Sequence, residues 1–406
     1  MKLLRSLYHY LLAWLGSVWY GHPSRQIFVL GVTGTKGKST VIELINSILT
    51  AAGKKTAVVS SVRFKNDTLS NPNLTGMTMP GRFFIQKFLK EAVENSCDYA
   101  VIEVTSQGIL QYRHKFIDFD AALITNLEAE HIEAHGSYEN YRNSKLKFFD
   151  YVANNSKKTP RYFFVNVDAR DNQYFLKAGE GRGRLMPYSR KDVAKIKIKT
   201  KLLGQFNYEN IAAAVAFARS QGIDWETIKN AVETFDGVPG RLEFVQKIPF
   251  SVIIDYAHTP DSLEKVYQTV KKAAARRKNA GRLICVFGAA GGGRDVWKRP
   301  VMGGIAAKYC DSIILTNEDP FDENPEEILN QIEAGVSLMD KKPIVQKIID
   351  RRKAIRRAIQ MAKNGDTVII TGKGSEPYMR VANGKKIFWN ERDIALKILN
   401  NEKIEI

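Results

Sequence analysis

From Gln26 onward, short apolar runs rich in β-branched residues alternate with helix-length amphipathic stretches. That alternation is the signature of parallel sheets with helices on both faces. Strands are expected at IFVLGV, TAVVSS, YAVIEV, AALITN and YFFVNV in the first half, and at SVIIDYA, RLICVFG, SIILT, PIVQKI and TVIITG in the second. Between the two series lies Gly237-Val-Pro-Gly240, a turn-rich stretch of the kind that links domains. The chain therefore reads as α/β class, with two domains over residues 26–236 and 237–406 behind an N-terminal segment, residues 1–25. At 406 residues and 44% hydrophobic composition, each domain can bury a core of its own.

The charge balance is basic: 61 Lys+Arg against 43 Asp+Glu, a net +18. Such a field attracts anions in general, so nucleic acid, anionic lipid, nucleotide and carboxylate substrates are all compatible with it. Cys97, Cys285 and Cys310 are odd in number, widely spaced and outside any CxxC pair. Neither a disulfide framework nor a zinc site is expected from them, and a reducing cytosol fits. Leu7 to Tyr20 is strongly apolar and aromatic, with Lys2 and Arg5 before it. It is short of the about 20 apolar residues that a spanning helix needs, and no small-residue cleavage site follows. Two readings stand: a helix packed on the body of the protein, or an interfacial anchor with Trp and Tyr at the headgroups, giving peripheral membrane contact through residues 1–22.

Gly31-Val-Thr-Gly-Thr-Lys-Gly-Lys-Ser-Thr40 follows the first expected strand and opens a helix. Glycines there let backbone N–H groups face phosphate oxygens, and the helix N-terminus adds a favourable dipole. Gly34, Thr35, Lys36, Gly37 and Thr40 would line the loop, Lys38 would reach the β- and γ-phosphates of ATP, and Ser39 would ligate Mg2+. Val32 stands where the general motif has its first glycine, so the loop is a variant.

This variant resembles the loop of the Mur ligases and folylpolyglutamate synthases, and further motifs are similar to the tripeptide-synthetase branch of the Mur ligase family from about residue 28 to about residue 392. The motifs that carry the resemblance are Glu103-Val-Thr-Ser-Gln107, Thr125-Asn-Leu-Glu-Ala-Glu-His-Ile-Glu-Ala-His-Gly136, Tyr141-Arg-Asn-Ser-Lys145, Gly204-Gln-Phe-Asn-Tyr-Glu-Asn210, Ile254-Asp-Tyr-Ala-His-Thr-Pro-Asp-Ser-Leu263 and Gly288 to Pro300. The stretch around Asp255 and His258 is the most specific of them. The resemblance implies a P-loop central ATPase domain with a mostly parallel sheet, followed by a Rossmann-like C-terminal α/β domain. It further implies an ATP-dependent ligase that joins an amino acid to a cell-wall peptide precursor through an acyl phosphate.

Residue by residue, the resemblance makes Lys38, Glu103, His131 and Lys145 the catalytic set. Two Mg2+ ions would be held, one by Ser39 and Glu103 and one by His131 and a carbamylated Lys145; Lys147 is the neighbouring alternative, which the aromatic pair after it disfavours. Asn207 and Asn210 would approach the adenine, with Asn207 also suited to cap its helix. Arg241 matches a linker arginine, Asp255 would meet the ribose, and His258 would lie at the nucleotide. Thr78, Arg294, Lys298, Arg299, Glu318, Asp319 and Glu376 are the expected substrate residues, the three cations serving the phosphates or the incoming acid.

Departures from the family pattern bear on substrate. Gln107 replaces the family's histidine, and the family's N-terminal UDP-holding domain has no counterpart before the first expected strand. Glu318-Asp-Pro-Phe321 lacks the arginine that clamps a distal carboxylate in diaminopimelate-adding relatives, and Ser375 replaces a second histidine. A folylpolyglutamate-synthase-like ligase, a nucleic-acid-binding ATPase and a silent Mur-like subunit are the competing readings. The expectation is a cytoplasmic monomer that takes an amino acid and a peptide or nucleotide-sugar-peptide acceptor, and no nucleic acid.

Overall fold

The computed structural model describes residues 2–128, 135–277, 279–293 and 295–402, which fall into two compact units. The first comprises residues 1–201 and 205–236, and the second residues 202–204 and 237–406.

The first unit opens with α1 (Lys2–Trp19) and a 3-10 turn at Pro23–Arg25. Then follow β1 (Phe28–Thr33), α2 (Lys38–Ala51), β2 (Thr56–Val59), β3 (Arg63–Asn66), β4 (Leu69–Pro72), α3 (Arg82–Glu94), β5 (Tyr99–Glu103), α4 (Ser106–Leu110) and β6 (Ala121–Ile124). The unit closes with α5 (Tyr138–Asn155), β7 (Tyr162–Asn166), α6 (Asn172–Gly179), β8 (Arg184–Tyr188), α7 (Arg190–Lys195), α8 (Phe206–Ser220) and α9 (Trp225–Thr234). Among the described residues the strands form one eight-stranded sheet in the order β4-β3-β2-β5-β1-β6-β7-β8. It is parallel except at β3 and β4, which pair antiparallel. Helices cover both faces of its centre, so β1 and β5 are almost wholly buried and read as continuous apolar runs. Gly31 shows how tightly β1 is packed: a Cβ there would lie 2.2 Å from Cζ of Phe148 and 3.0 Å from the Phe119 ring.

The second unit contains β9 (Glu243–Gln246), β10 (Ser251–Asp255), α10 (Pro260–Ala275), β11 (Leu283–Phe287), α11 (Lys298–Tyr309), β12 (Ser312–Leu315), α12 (Pro325–Ser337), β13 (Ile344–Lys347), α13 (Arg351–Met361) and β14 (Thr367–Thr371). A small hairpin, β15 (Tyr378–Arg380) and β16 (Lys386–Phe388), precedes α14 (Glu391–Leu399). Its main sheet runs β13-β12-β11-β14-β10-β9, parallel but for the edge strand β9. The α/β architecture expected from the alternating runs is the one observed.

The structure corrects the reading of the cysteines. Cys285 in β11 and Cys310 at the end of α11 are bonded to each other, with Cα atoms 6.1 Å apart, and both are fully buried. The physical reason is the crossover: α11 returns the chain to β12, which pairs directly with β11, so residues 25 apart in sequence become neighbours. Spacing alone gave no hint of it, because parallel pairing, not proximity in the chain, makes the contact. Cys97 remains a free buried thiol, pushed up by burial.

Candidate active site

In the first unit, β1, β5 and β6 are adjacent and parallel, so the loops at their C-terminal ends converge where open α/β sheets place ligands. The loop after β1 needs its glycines. Gly34 has φ +142°, and a Cβ on it would lie 1.9 Å from Oγ1 of Thr125 at the end of β6. Gly37, at φ +80°, would put one 2.2 Å from Oδ1 of Asn210 on α8. Side chains from β6 hold the loop in shape: Thr125 Oγ1 donates to the Lys36 carbonyl at 2.7 Å, and Asn126 Oδ1 accepts the Lys36 N–H at 2.9 Å. Gly37 caps α2 in a left-handed conformation with no side-chain cap bond and no acid in the first turn. An uncapped positive helix end is what a phosphate seeks. Lys38 starts the helix and folds back, its Nζ donating to the Thr35 carbonyl at 2.9 Å. Thr40 is buried in the same turn.

Ser39 and Glu103 meet. The Ser39 hydroxyl donates to Glu103 Oε2 at 3.1 Å and lies 2.9 Å from the hydroxyl of Ser61, whose N–H also donates to Glu103 Oε2 at 2.9 Å. A buried serine hydroxyl beside a carboxylate is an oxygen donor pair suited to Mg2+, which takes one or two protein ligands and completes its shell with water and phosphate. The donor set therefore fits that ion. No group of three or more His, Cys, Asp or Glu side chains that could hold a metal occurs among the described residues.

Lys145 on α5 is buried, and its Nζ donates to the Gly34 carbonyl at 2.7 Å while sitting 4.7 Å over the Tyr141 ring. Lys147 is exposed on the opposite side of that helix. Tyr141 donates its hydroxyl to Thr35 Oγ1 at 3.1 Å, and His135 stacks edge-on against it at 5.1 Å, its Nε2 lying 3.2 Å from the Ser106 hydroxyl. His131 and the acids Glu130 and Glu133 lie outside the described residues, as does Arg294. Thr78 is half-buried in the loop between β4 and α3, which Arg113 ties down through the Met79 carbonyl.

The cap expected of Asn207 is not what its position allows. The helix begins one residue earlier, at Phe206, with Gln205 in the capping position, so Asn207 stands inside the first turn. There its Oδ1 accepts from Asn210 Nδ2 at 2.8 Å, and the pair is buried with Asn210 facing Gly37.

In the second unit, Asp255 ends β10 and its two oxygens accept the N–H groups of Leu242 and Ala257, both at 2.7 Å. His258 is oriented by its Nδ1, 2.8 Å from the Tyr256 carbonyl. The Arg241 guanidinium stacks 4.3 Å over the Tyr256 ring, and Tyr256 donates to Glu376 Oε1 at 2.9 Å. Lys373 bridges Glu376 Oε2 at 2.6 Å and Asp319 Oδ1 at 2.8 Å. Burial alone would raise the Glu376 carboxyl, but Lys373 outweighs it and holds the group below its usual range. The reciprocal pull of Glu376 and Asp319 raises Lys373 despite its burial. Glu318 behaves differently: burial pushes its carboxyl from 4.5 up to about 7, against the opposing charges of Lys298, Lys373 and Arg351.

Of the basic residues at the start of α11, Lys298 acts on Glu318, whereas Arg299 is engaged elsewhere. The Arg299 guanidinium, almost fully buried, donates to Gln331, the Ala290 carbonyl and Glu323, at 2.8, 3.0 and 2.7 Å. These bonds pin Ala290 of the glycine-rich loop to α12 and to Glu323. Sequence reasoning missed Lys373 and Tyr256 as members of the cluster. Tyr256 lies inside the motif around Asp255 and His258, and Lys373 lies two residues before Ser375, but only the fold brings the segments together.

Fold and site together define a nucleotide-binding α/β protein whose first unit is built to hold phosphate beside a hard cation. Comparison with known families gives it a place: residues 32–195 match the Mur ligase middle domain, and residues 240–374 match the Mur ligase glutamate ligase domain. The chain is 36% identical over 413 residues to the UDP-N-acetylmuramoyl-L-alanyl-D-glutamate--2,6-diaminopimelate ligase of Syntrophomonas wolfei, covering 96% of this chain and 82% of that one. It is 38% identical to the ligase of the same name from Aquifex aeolicus, over 94% of this chain and 80% of that one. A solved structure of a ligase of that name superposes with TM-score 0.60 at 27% identity, over 92% of this chain and 78% of that one. A Mycobacterium tuberculosis folylpolyglutamate synthase complexed with ADP superposes at 0.67 over 92% of this chain and 96% of that one, but at 16% identity, a likeness of fold alone. The chain belongs to the Mur ligase family, and it is an ATP-dependent carbon–nitrogen ligase.

Proposed function

We propose that this ligase adds an amino acid to a cell-wall peptide precursor, with residues 26–236 as the ATP-binding domain and 237–406 as the C-terminal domain that receives the amino acid. The observation that carries the reading is the Ser39–Glu103 pair, 3.1 Å apart beside an uncapped helix N-terminus, with buried Lys145 of α5 bonded to the same loop. The relatives named above carry UDP-N-acetylmuramoyl-L-alanyl-D-glutamate and 2,6-diaminopimelate in their names, and the same class of acceptor is the first to test.

A carboxylate resists amines until one oxygen becomes a leaving group. The acceptor carboxylate attacks the γ-phosphorus of ATP, ADP departs, the amino group of the incoming amino acid attacks the acyl carbon, and phosphate leaves. Loop N–H groups and Lys38 position the phosphates, and most of the rate gain is orientation and fixed charge. Ser39 and Glu103 would hold one Mg2+, and His131 with a carbamylated Lys145 would hold a second; such ions would neutralise the phosphate charge. A carbamate nitrogen keeps one hydrogen, so Lys145 can retain its bond to the Gly34 carbonyl after modification. In the second unit, Lys373 keeps Glu376 ionised and able to accept from the amino acid's ammonium group. Phe321 stands where relatives have a carboxylate-clamping arginine, so the amino acid is taken to differ from meso-diaminopimelate at its distal end. We further assign the enzyme to the cytoplasm as a monomer, with peripheral membrane contact through residues 1–22.

Phosphate release from ATP and Mg2+ with a panel of acceptors and amino acids, including UDP-N-acetylmuramoyl dipeptide, tests this. Release that requires both co-substrates, and that Lys38→Ala reduces by about a hundredfold or more, is expected. ATP binding without release for any combination would overturn it.

A further inference from the structure

Helix α1 is built inside out. Ser6, His9, Ala13, Gly16 and Ser17, mostly small or polar, lie on the side turned towards the unit: Ala13 and Ser17 are buried, and a Cβ on Gly16 would touch Phe83 of α3 at 3.5 Å. Leu4, Leu7, Tyr8, Leu11, Trp14, Leu15, Val18 and Trp19 recur at the three- and four-residue spacing of one helix face and are all exposed, from 43% at Leu15 to 74% at Trp19. A helix of a soluble body normally turns its large apolar residues inward. A contiguous outward face of this kind marks a surface that meets something else.

The charge around the face says what that is. No aspartate or glutamate occurs in the sequence before Glu43, whereas Lys2 and Arg5 do. Beside the helix, burial and then the charge of Arg113 lower the Arg82 guanidinium from its ordinary value, and the two arginines donate to neutral groups: the Gln111 carbonyl, the Gln111 side chain and the Met79 carbonyl. Tyr10 packs edge-on against Tyr112 and Phe116, tying the helix to the segment that carries Arg113. An aromatic and aliphatic face with Arg82 and Arg113 beside it is complementary to an anionic bilayer, where tryptophan and tyrosine favour the headgroup region and cations favour acidic lipid. No helix among the described residues is long and apolar enough to cross a membrane, which leaves α1 to lie along the surface.

We infer that the exposed face of α1 is a membrane-docking surface for anionic lipid, lying in the plane of the interface. This deepens the peripheral contact proposed above, and it does not depend on the ligase chemistry. Because α1 packs on α3, which follows the Thr78 loop, docking sets that loop near the headgroups.

The test is sedimentation of the full chain with vesicles of phosphatidylcholine alone and of phosphatidylcholine mixed with phosphatidylglycerol, alongside a Leu7→Glu/Leu11→Glu/Trp14→Glu variant. All three side chains are exposed, so the variant keeps its fold, which circular dichroism checks. Binding to the mixed vesicles that the variant weakens by about tenfold or more is expected, together with a blue shift of tryptophan emission. Absence of vesicle binding would overturn the inference. So would binding unchanged in the variant, which would assign the attraction to the net charge of the chain. A concentration-dependent dimer that the variant abolishes would give the face to a second copy instead. Ligase activity enters none of these readouts.

Discussion

Glu318 lies three residues beyond β12 and is buried, with its Oε2 lacking a hydrogen-bond partner. It packs over Gly372, where a Cβ would come within 2.7 Å of that oxygen. Its carboxyl, raised from 4.5 to about 7, makes a stability statement whose sign is fixed. Between those values the folded protein holds a proton that the unfolded chain has released, so stability falls as pH rises through the window and the loss is complete above about pH 7. The shift corresponds to at most about 3 kcal/mol. Glu318→Gln removes the titration. Urea unfolding at pH 5 and pH 8 should show the variant gaining on the wild type by up to about 3 kcal/mol at the higher pH. A difference that does not change with pH would remove Glu318 as the cause.

At the level of elements, α13 and α14 are joined by a fully buried ion pair. Arg351, at the start of α13, donates to Glu391, the first residue of α14, at 2.5 Å, and also to the carbonyls of Asn317 and Thr371 at 3.0 and 2.7 Å. Trp389 donates its indole N–H to the same carboxylate. Removing one partner leaves a buried charge alone, so Arg351→Met is expected to lower stability by about 3–5 kcal/mol in denaturant titration. The same paired elements show what the sequence could and could not reveal. Fully buried parallel strands advertise themselves as β-branched runs, which is why β1, β5, β10, β11 and β14 were legible. The β3–β4 hairpin was not, because Arg63 and Lys65 take the place of apolar residues, Arg63 pairing with Glu43 and Lys65 with Asn46 and Thr56. The phosphate-binding loop was legible because its chemistry is local to ten residues. The Glu318–Lys373–Glu376–Tyr256 cluster was not, since its members come from three separate strand ends and depend on burial for their charge states.

For the whole molecule, the net charge of +18 sets a field that attracts two substrates of this reaction, since ATP and a carboxylate acceptor are anions. Association should therefore weaken as salt screens that field over a Debye length of about 10 Å at 0.1 M. Raising the ionic strength from 0.05 to about 0.3 M is expected to lower kcat/KM severalfold while leaving kcat nearly unchanged. A matching fall in kcat would point to a change within the site. The bond between Cys285 and Cys310 adds a different property at this scale, because it closes the chain between them into a covalent ring. The whole glycine-rich stretch from Gly288 to Gly293, exposed Val296 and Trp297, and helix α11 lie inside that ring. A cut anywhere within it severs the backbone without separating the pieces: the part of the second unit that precedes the cut stays tethered to the part that follows until a reductant opens the bond. The loop that carries exposed Val296 and Trp297 thus lies where a backbone break leaves the polypeptide a single molecule.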